Sequence, residues 1–527
     1  MASQPLTIRQ ASEWASQYLH REVTPSNISY LIQYGRIKRL TDNGNTLVSK
    51  EDLVSYYKSY VGRRETKWMS ILGEDLNWAL SFDYLKESER TKHVHRLHPY
   101  KGKFIPQLVE YFLDSHTDDF KKGVYFQKGD IILDPFCGSG TTLVQANELS
   151  MHAIGVDVSA FNALISNAKI AEYNLAQLHN EILKITSSLR QFVSGSNTRE
   201  FESKLLEFLA DFNKRYFPSP EFKIKVRTGQ IEEDEYSQAK SREFEQIYEA
   251  LLSIYKIELK QEKVASNFLD RWYIKPIRQE IDLVRSLIER VQDANTRNAL
   301  TIILSRTIRS CRATTHFDLA TLKEPVLTTY YCHKHGKICK PLFSILNWWL
   351  RYSQDTISRL SKFNKLRTET SQICLTGDSR TIDITKELTA YNPALAKLAR
   401  DQKIRGIFSS PPYVGLIDYH EQHAYAYDLF RFERKDQLEI GKLSNGQGPE
   451  ARKLYIQSIS EVLNNCRPFL VDEFDVFLVA NDKYNLYPLI AEKAGMRILK
   501  RYKRPVLDRT ERDKGAYSET VFHMKAK

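Results

Sequence analysis

The sequence has little cysteine and no long apolar run, and each absence excludes a class of protein. Six cysteines are spread irregularly over 527 residues, which argues against a disulfide framework and for a reducing compartment. No uninterrupted apolar stretch is long enough to cross a bilayer. The first ten residues, MASQPLTIRQ, lack the cationic start and apolar core of a signal peptide. We therefore expect a cytoplasmic protein without membrane association.

Positive charge exceeds negative charge along the chain. There are 77 lysines and arginines against 65 aspartates and glutamates, which gives a net charge of +12 and a sequence pI near 9.1. A basic surface attracts polyanions, and nucleic acid is the first candidate where no membrane anchor exists. A solvated basic surface without a partner fits the charge equally well.

Residues 1–62 are predicted to form a small domain of their own. The segments LTIRQASEWASQYL, VTPSNISYLIQYGRI and SKEDLVSYYKSY have helical spacing and capping residues, and a turn at DNG separates two strand-like pieces. This order of helix, turn, helix, hairpin and helix resembles the winged helix-turn-helix domains of the excisionase and MerR type. A small helical docking module is the alternative.

The resemblance to a winged helix implies contacts with double-stranded DNA. Asn27 and Tyr30 of the second helix would face a groove. Arg36 and Lys38 stand where a wing would meet phosphate groups.

The rest of the chain alternates between two kinds of sequence. Residues 63–92 are predicted to be a charged connector. Strand and helix patterns alternate over 93–172 and again over 371–527, whereas 173–370 is rich in lysine, arginine, glutamate and leucine at helical spacing. A structureless loop of that length would be implausible, so 173–370 is predicted to be a helical domain. The predicted fold class is α/β, with a core that this insertion splits in two.

The stretch LDPFCGSGTT places a glycine-rich turn between a strand and a helix. Gly138 and Gly140 allow a tight turn and a close approach of the backbone to a ligand. Ser139 and Thr141 open a helix whose free N–H groups favour an anion. Asp157 ends the next strand, where an acid can accept hydrogen bonds from ribose hydroxyls. Neither the G-x-G-x-x-G pattern of dinucleotide sites nor the Gly-Lys-Ser/Thr of a P-loop occurs in this turn.

The pair of motifs DPFCGSGT and SSPPY resembles the amino-methyltransferases, which methylate exocyclic amines of DNA bases with S-adenosyl-L-methionine. The upstream HPYKGKF resembles the N-terminal cofactor motif of that family. The resemblance covers about 93–172 and 371–527 and implies a Rossmann-like, seven-stranded class I methyltransferase core. By the same resemblance, the residues that would bind the cofactor are Lys103, Phe104, Asp134, Phe136, Gly138, Ser139, Gly140, Thr141, Asp157 and Asp378.

The catalytic loop implied by this family is Ser410, Pro411, Pro412 and Tyr413. It would hold a base that is rotated out of the duplex. The Ser410 hydroxyl and a backbone carbonyl would accept hydrogen bonds from the exocyclic amine, and Tyr413 would stack on the base. Members of the family with serine at the first motif position usually methylate cytosine N4, and members with aspartate or asparagine usually methylate adenine N6.

The predicted function is site-specific methylation of cytosine N4 in duplex DNA, within a restriction–modification system. The alternatives are adenine N6 methylation, methylation of a protein or RNA amine, and a DNA-binding regulator with an inactive methyltransferase fold. Methylation of cytosine carbon-5 needs a nucleophilic cysteine, and no Pro-Cys dipeptide occurs in the chain. A separate cognate restriction endonuclease is a possible partner, and the recognition sequence and oligomeric state stay open.

The helical insertion is where such enzymes often recognise their target. Arg306, Arg309 and Arg312 recur every three residues, which puts them on one helical face. They could contact phosphate or a guanine edge. A solvated helix face explains the spacing equally well.

A second pattern in the insertion is YYCHKHGKIC, which contains Cys332, His333, His335 and Cys339. A zinc site needs four convergent ligands, and these four are crowded into eight residues. We expect a loop with free thiols and no metal, with zinc as the alternative.

Overall fold

The computed structural model describes residues 5–20, 22–33, 35–42, 45–261, 267–316, 322, 324–507 and 515–527. Before the central sheet, the elements are β1 (Leu6–Thr7), α1 (Ile8–Leu19), α2 (Pro25–Gln33), β2 (Leu40–Asp42), β3 (Asn45–Val48), α3 (Lys50–Lys58), α4 (Tyr60–Leu72), α5 (Glu87–Arg90) and α6 (Pro106–Leu113). The first half of the core contains β4 (Ile131–Asp134), α7 (Thr141–Glu148), β5 (His152–Asp157) and α8 (Ala160–Ile170).

A mainly helical region follows α8. Its elements are α9 (Leu175–Ser194), α10 (Asn197–Tyr216), α11 (Glu221–Arg227), α12 (Glu233–Tyr255), α13 (Phe268–Trp272), α14 (Lys275–Glu289), α15 (Ala294–Ser310), β6 (Tyr330–Cys332), β7 (Lys337–Cys339) and α16 (Leu346–Asn364). The second half of the core contains β8 (Gln372–Thr376), α17 (Ile384–Tyr391), α18 (Pro393–Asp401), β9 (Ile404–Ser409), α19 (Tyr419–Gln422), α20 (Ala424–Phe430), α21 (Pro449–Cys466), β10 (Leu470–Ala480), α22 (Tyr487–Lys493), β11 (Met496–Pro505) and β12 (Ser518–Ala526).

One sheet organises the core. Among the described residues it has seven strands in the order β11-β12-β10-β9-β4-β5-β8. The five strands from β10 to β8 run parallel, and β12 is antiparallel to both of its neighbours. All four residues of β4 are buried, as are most of β5 and β9, which is the pattern of parallel strands covered on both faces. The predicted α/β class with a mostly parallel sheet is confirmed.

Two apolar clusters cover the two faces of the sheet. Helices α6, α7 and α8 pack on one face, and this cluster continues into the helices α9 to α16. Helices α17, α18, α21 and α22 pack on the other face. No described helix is both long enough and apolar enough to cross a membrane.

Two residues expected to read DNA from α2 are engaged within the protein. Asn27 is 8% exposed, and its Oδ1 accepts hydrogen bonds from the backbone N–H and the hydroxyl of Thr24, at 2.8 and 2.9 Å. Tyr30 packs on Phe120, with ring centroids 5.3 Å apart. The expectation that Asn27 contacts DNA is wrong, because its side chain caps the start of α2.

Arg36 is also engaged, whereas Lys38 is exposed. The Arg36 guanidinium donates to Glu65 at 2.9 Å and to both carboxylate oxygens of Asp83, at 2.9 and 2.7 Å. The Glu65 side chain is 1% exposed. Arg36 therefore holds two carboxylates inside the protein, and the expectation that it contacts phosphate is wrong.

Replacing Arg36 with alanine should destabilise the N-terminal part by about 3 kcal/mol, because Glu65 would remain buried without its cation. Urea unfolding followed by tryptophan fluorescence measures the loss. The matched control is Lys38→Ala, which removes an exposed cation from the same segment and should change stability by less than about 0.5 kcal/mol. An Arg36→Ala protein that unfolds like the wild type but loses DNA affinity would contradict the ion-pair role.

The three arginines around the end of α15 do not form a shared exposed face. Arg306 is 7% exposed, donates to Asp355 at 2.6 Å, and lies over the ring of Tyr352 at 4.3 Å. Arg309 and Arg312 are partly buried, and Arg312 donates to the Arg309 carbonyl at 2.9 Å. The expectation that Arg306 contacts DNA is wrong, because this side chain is part of the packing between α15 and α16.

Candidate active site

A cleft opens at the carboxyl ends of the neighbouring strands β9, β4, β5 and β8, where ligands bind in open α/β sheets. The space within it, including the open solvent at its mouth, is about 600 Å³. The residues that line it are Tyr100, Pro135, Phe136, Asp157, Val158, Ser159, Asn162, Asp378, Ser379, Ser410, Pro412, Tyr419, Leu438, Glu439 and Ile440.

Asp157, at the end of β5, anchors the glycine-rich turn. Its Oδ2 accepts from the backbone N–H of Gly138 at 2.8 Å, and its Oδ1 accepts from Ser159 N at 2.8 Å and from the Asn162 amide at 3.1 Å. Burial raises the pKa of Asp157 to about 6, although the hydrogen bonds from Ser159 and Gly138 act in the opposite direction. The carboxylate therefore fixes the turn that follows β4 and also borders the cleft.

Tyr100 explains why glycine is needed at position 138. Gly138 has a φ of +51°, and a Cβ there would lie 3.0 Å from the Tyr100 hydroxyl. The Tyr100 ring stacks on Tyr419 with centroids 5.9 Å apart. Glu439 fixes the start of α19 on the Tyr419 side of the cleft, because it accepts hydrogen bonds from the backbone N–H groups of Tyr419 and His420 at 3.2 and 2.7 Å. Three of these cleft residues, Tyr100, Tyr419 and Glu439, were not predicted from the sequence, although Tyr100 lies within the HPYKGKF motif.

Other residues of the glycine-rich turn lie behind the cleft. Ser139 is buried, and its hydroxyl has no hydrogen-bond partner among the residues that the structure describes. Its carbonyl accepts a hydrogen bond from Lys169. Gly140 precedes α7, which begins at Thr141, and has a φ of +73°. A Cβ added at Gly140 would lie 2.9 Å from the Ser166 side chain. The turn is therefore compact, and its backbone N–H groups stand at the start of α7.

Asp134 ties β4 to β9 from inside the protein. It is 1% exposed, accepts from the Ser409 hydroxyl at 2.5 Å and accepts from the Phe136 backbone N–H at 3.2 Å. Burial raises the pKa of Asp134 to about 6, against these hydrogen bonds. Phe136 lines the cleft, whereas Asp134 supports it from behind.

Two further residues predicted to bind the cofactor lie outside the lining. The Lys103 ammonium donates to the His95 carbonyl at 2.7 Å, and burial lowers its pKa to about 8. Phe104 packs edge-to-face on Phe408, with centroids 5.7 Å apart. In this segment Tyr100 borders the cleft and these two support the core.

Asp378 enters the cleft from the end of β8. Burial acts to raise its pKa, but hydrogen bonds from the Arg380 side chain and backbone N–H outweigh burial and lower the pKa. The Arg380 side chain donates to both oxygens of Asp378, at 2.7 to 3.1 Å. The negative charge of Asp378 is thus balanced by Arg380, within the same loop.

Ser410 and Pro412 bring the end of β9 into the cleft, and Pro411 between them is buried. The Ser410 hydroxyl donates to the Val479 carbonyl of β10 at 3.1 Å. Its only proton is therefore used inside the protein, and the oxygen retains lone pairs that accept hydrogen bonds. The prolines provide no backbone N–H, so this rim of the cleft is poor in donors.

Tyr413 does not border the cleft as expected. Its hydroxyl donates to Glu519 of β12 at 2.8 Å, and Glu519 also accepts from Arg504 at 2.9 Å. The ring packs against the apolar cluster under α21 and α22. Glu519 and the cluster hold the ring beside the cleft lining, and stacking of Tyr413 on an extruded base stays a prediction.

The cleft fits S-adenosylmethionine. Asp157 would offer a carboxylate to the ribose hydroxyls, and Phe136, Leu438 and Ile440 would offer apolar surface to a flat base. A Cβ at position 138 would fill space that the Tyr100 hydroxyl borders. The donor and acceptor set matches the groups of this cofactor.

Comparison with known proteins agrees with this geometry. The sequence profile of the DNA methylase family matches residues 23–168. The chain is 44% identical over 533 residues to the type II methyltransferase M.MjaII of Methanocaldococcus jannaschii, which covers 98% of this chain and 96% of the relative. Shorter matches are M.BsoBI of Geobacillus stearothermophilus, 31% identical over 25% of this chain and 26% of the relative, and M.MvaI of Kocuria varians, 30% identical over 22% and 24%.

A relative of this identity that aligns along nearly the whole of both chains establishes the family. The methyl donor of such enzymes is S-adenosylmethionine, and their substrate is DNA. The chain belongs to the type II DNA methyltransferases, the modification enzymes of restriction–modification systems.

Proposed function

We propose that this enzyme methylates the exocyclic N4 of cytosine within a specific sequence of duplex DNA. The observation that carries the proposal is the Ser410 hydroxyl at the rim of the cleft, which donates to Val479 and so can only accept from a ligand. An exocyclic amine is a donor of two hydrogen bonds. Serine at this motif position is typical of the N4-cytosine members that the chain resembles.

The chemistry needs a nitrogen whose lone pair is available. In an aryl amine the lone pair is delocalised into the ring. Acceptors that hold both amine hydrogens favour a more tetrahedral nitrogen, and Ser410 with a neighbouring carbonyl would provide them. S-adenosylmethionine supplies the methyl group on a positively charged sulfur. The protein contributes positioning for in-line displacement, which can lower the barrier by about 7–11 kcal/mol.

The cofactor roles follow from the lining of the cleft. Asp157 would accept from the ribose hydroxyls, and Phe136 with Asp378 would flank the adenine. The turn at Gly138, which Asp157 anchors next to the cleft, would receive the methionine part. In this proposal the cofactor would lie beside Ser410, at the ends of β4 and β9.

Base access requires that the cytosine leaves the stack. We propose that the class I core receives the extruded base, that the region 173–370 recognises the target, and that residues 1–62 form a winged helix on the duplex. In the N-terminal part, the exposed Lys38 just before the hairpin β2–β3 would contact phosphate. Arg309 and Arg312 of the helical region would also contact the DNA. A separate endonuclease of the same specificity would be the partner in the cell.

The proposal is tested by the modified base itself. Unmethylated genomic DNA is incubated with the purified protein and S-adenosylmethionine, digested to nucleosides and analysed by mass spectrometry. N4-methyldeoxycytidine as the product supports the proposal. N6-methyldeoxyadenosine would establish the adenine alternative. Sequence-specific DNA binding without any methylated nucleoside would establish the inactive regulator.

Cofactor affinity should fall in mildly acidic solution. The Asp157 carboxylate is a much stronger acceptor of ribose hydrogen bonds when it is ionised, and burial raises its pKa to about 6. Protonation becomes dominant as the pH falls below that value, so affinity should decrease by roughly tenfold per pH unit below 6. Calorimetric titration with S-adenosylmethionine from pH 7 to pH 5 measures the change.

The control for this pH dependence is Asp157→Asn, which cannot ionise. It should bind weakly at every pH, with a flat profile. Burial also raises the pKa of Asp134 to about 6, so a profile that survives in Asp157→Asn would assign the effect to Asp134 and contradict the role of Asp157.

A further inference from the structure

Four metal-binding side chains converge in the helical region, apart from the cleft. His316, Cys332, His335 and Cys339 each place a ligand atom within 4.8 Å of the others. Both cysteines are free thiols. None of the four residues lines the cleft, and the established methylation reaction makes no use of them.

We propose that these four side chains form a structural zinc site. The Sγ of Cys332 lies 3.7 Å from His316 Nδ1, and the Sγ of Cys339 lies 3.5 Å from His335 Nδ1. In a tetrahedral site with Zn–S near 2.3 Å and Zn–N near 2.05 Å, sulfur and nitrogen are about 3.6 Å apart. The two separations in the protein bracket that value, so only small adjustments are needed to bind the ion.

The backbone of the hairpin β6–β7 prepares two of the ligands. The N–H groups of His335 and Gly336 both donate to the Cys332 carbonyl, at 3.0 and 2.7 Å. Gly336 has a φ of +62°, which closes the turn. This tight turn brings the side chains of Cys332 and His335 to one side, and Cys339 follows on the paired strand. A C-x-x-H turn of this kind is a compact metal-binding unit.

The fourth ligand is His316, and not His333 as the sequence pattern suggests. The ring of His333 turns away to Tyr331 and Glu233, with His333 Nδ1 3.7 Å from Glu233 Oε1. His316 comes instead from the segment after α15, sixteen residues before Cys332. The Tyr330 hydroxyl lies 3.0 Å from His316 Nδ1, an interaction that metal coordination would replace. The sequence predicts free thiols at Cys332 and Cys339, with zinc as the alternative, and the clustering of these four side chains favours that alternative.

The donor set selects the metal and its role. Two thiolates and two imidazoles suit zinc, and four protein ligands leave no open position for chemistry. Two cysteines lose their protons on binding, so the charge of the ion is neutralised. The site would tie the segment after α15 to a hairpin that Asn213 of α10 holds through two hydrogen bonds to the Ile338 backbone, at 2.9 and 3.0 Å. We infer a stabilising role for the metal in the helical region.

The test begins with the full-length wild-type protein, purified in a reducing buffer without chelator. Elemental analysis and native mass spectrometry should find about one zinc per chain. Cys339→Ser should lower this to less than about a fifth, whereas the matched control His333→Ala should keep it, since that imidazole faces Glu233. A similar loss in His333→Ala would overturn the assignment of ligands.

Cobalt provides a readout that does not depend on how a variant folds. Wild-type protein stripped with a strong chelator and titrated with Co²⁺ should develop thiolate-to-cobalt charge-transfer absorption and the intense visible bands of tetrahedral cobalt, both displaced by zinc. Thermal stability should fall on stripping and return with zinc, with affinity for S-adenosylmethionine unchanged. A wild-type protein without zinc that also shows no cobalt spectrum would overturn the proposal.

Discussion

Ser410→Ala should reduce the methyl-transfer rate at saturating substrates by a factor of 100 or more, a size typical of removing one positioned polar group from a transition state, roughly 10²–10³. The variant loses the oxygen that would hold the amine, together with the hydrogen bond to Val479. Neither loss touches Asp157 or the glycine-rich turn. The dissociation constant for S-adenosylmethionine should therefore stay within about twofold of the wild type.

The decisive measurement is single-turnover methylation with a tritiated cofactor, next to calorimetric titration of the cofactor and a gel-shift assay for DNA. Ser410→Thr keeps the hydroxyl and should recover part of the rate. If Ser410→Ala methylates at the wild-type rate, the serine has no role in holding the amine. If it loses rate and cofactor binding together, the loop has a structural role instead.

The local features of the site could be predicted from the sequence because each depends on a few neighbouring residues. A glycine-rich turn between a buried strand and a helix, and an acid at the end of the next strand, place Gly138 and Asp157 together by chain connectivity alone. The apolar run before Ser410 predicts a strand that ends at the same edge, and Ser410 does border the cleft. Parallel strands bring such positions together in space.

Long-range partners could not be predicted in this way. The spacing of Arg306, Arg309 and Arg312 predicts a shared helix face, but it does not show that Asp355, 49 residues later, pairs with Arg306. Arg36 similarly meets Asp83, 47 residues along the chain. Regularly spaced cations in a sequence therefore do not by themselves predict a nucleic-acid surface, because carboxylates from distant segments can pair with them.

The same limit applies to tyrosines and to metal ligands. Tyr413 lies in the predicted motif, but its hydroxyl bonds to Glu519 of β12, the last strand along the chain, and this partner determines where the hydroxyl lies. His316 is outside the Cys/His pattern and joins it only through the fold of the insertion. Tyr100 lies within the predicted HPYKGKF motif, but the contact of its hydroxyl with Gly138 joins residues 38 positions apart and depends on the fold.

Asp157→Ala should weaken S-adenosylmethionine binding by a factor of 100 or more. Two hydrogen bonds from ribose hydroxyls to a carboxylate are worth about 1.5–3 kcal/mol each, and each 1.4 kcal/mol is about tenfold in affinity. The variant also removes the acceptor for the N–H groups of Gly138 and Ser159, at 2.8 Å each. The turn that receives the methionine part would lose its anchor, which adds to the loss.

Asp378→Ala is the matched control, because it removes a carboxylate from the same cleft whose charge Arg380 already balances. Its affinity for the cofactor should fall by about tenfold or less, since its hydrogen bonds are made within its own loop. Calorimetric titration of both variants, with circular dichroism to verify folding, separates the two carboxylates. A larger loss for Asp378→Ala than for Asp157→Ala would reverse the assignment, and Asp378 would then be the main anchor of the cofactor.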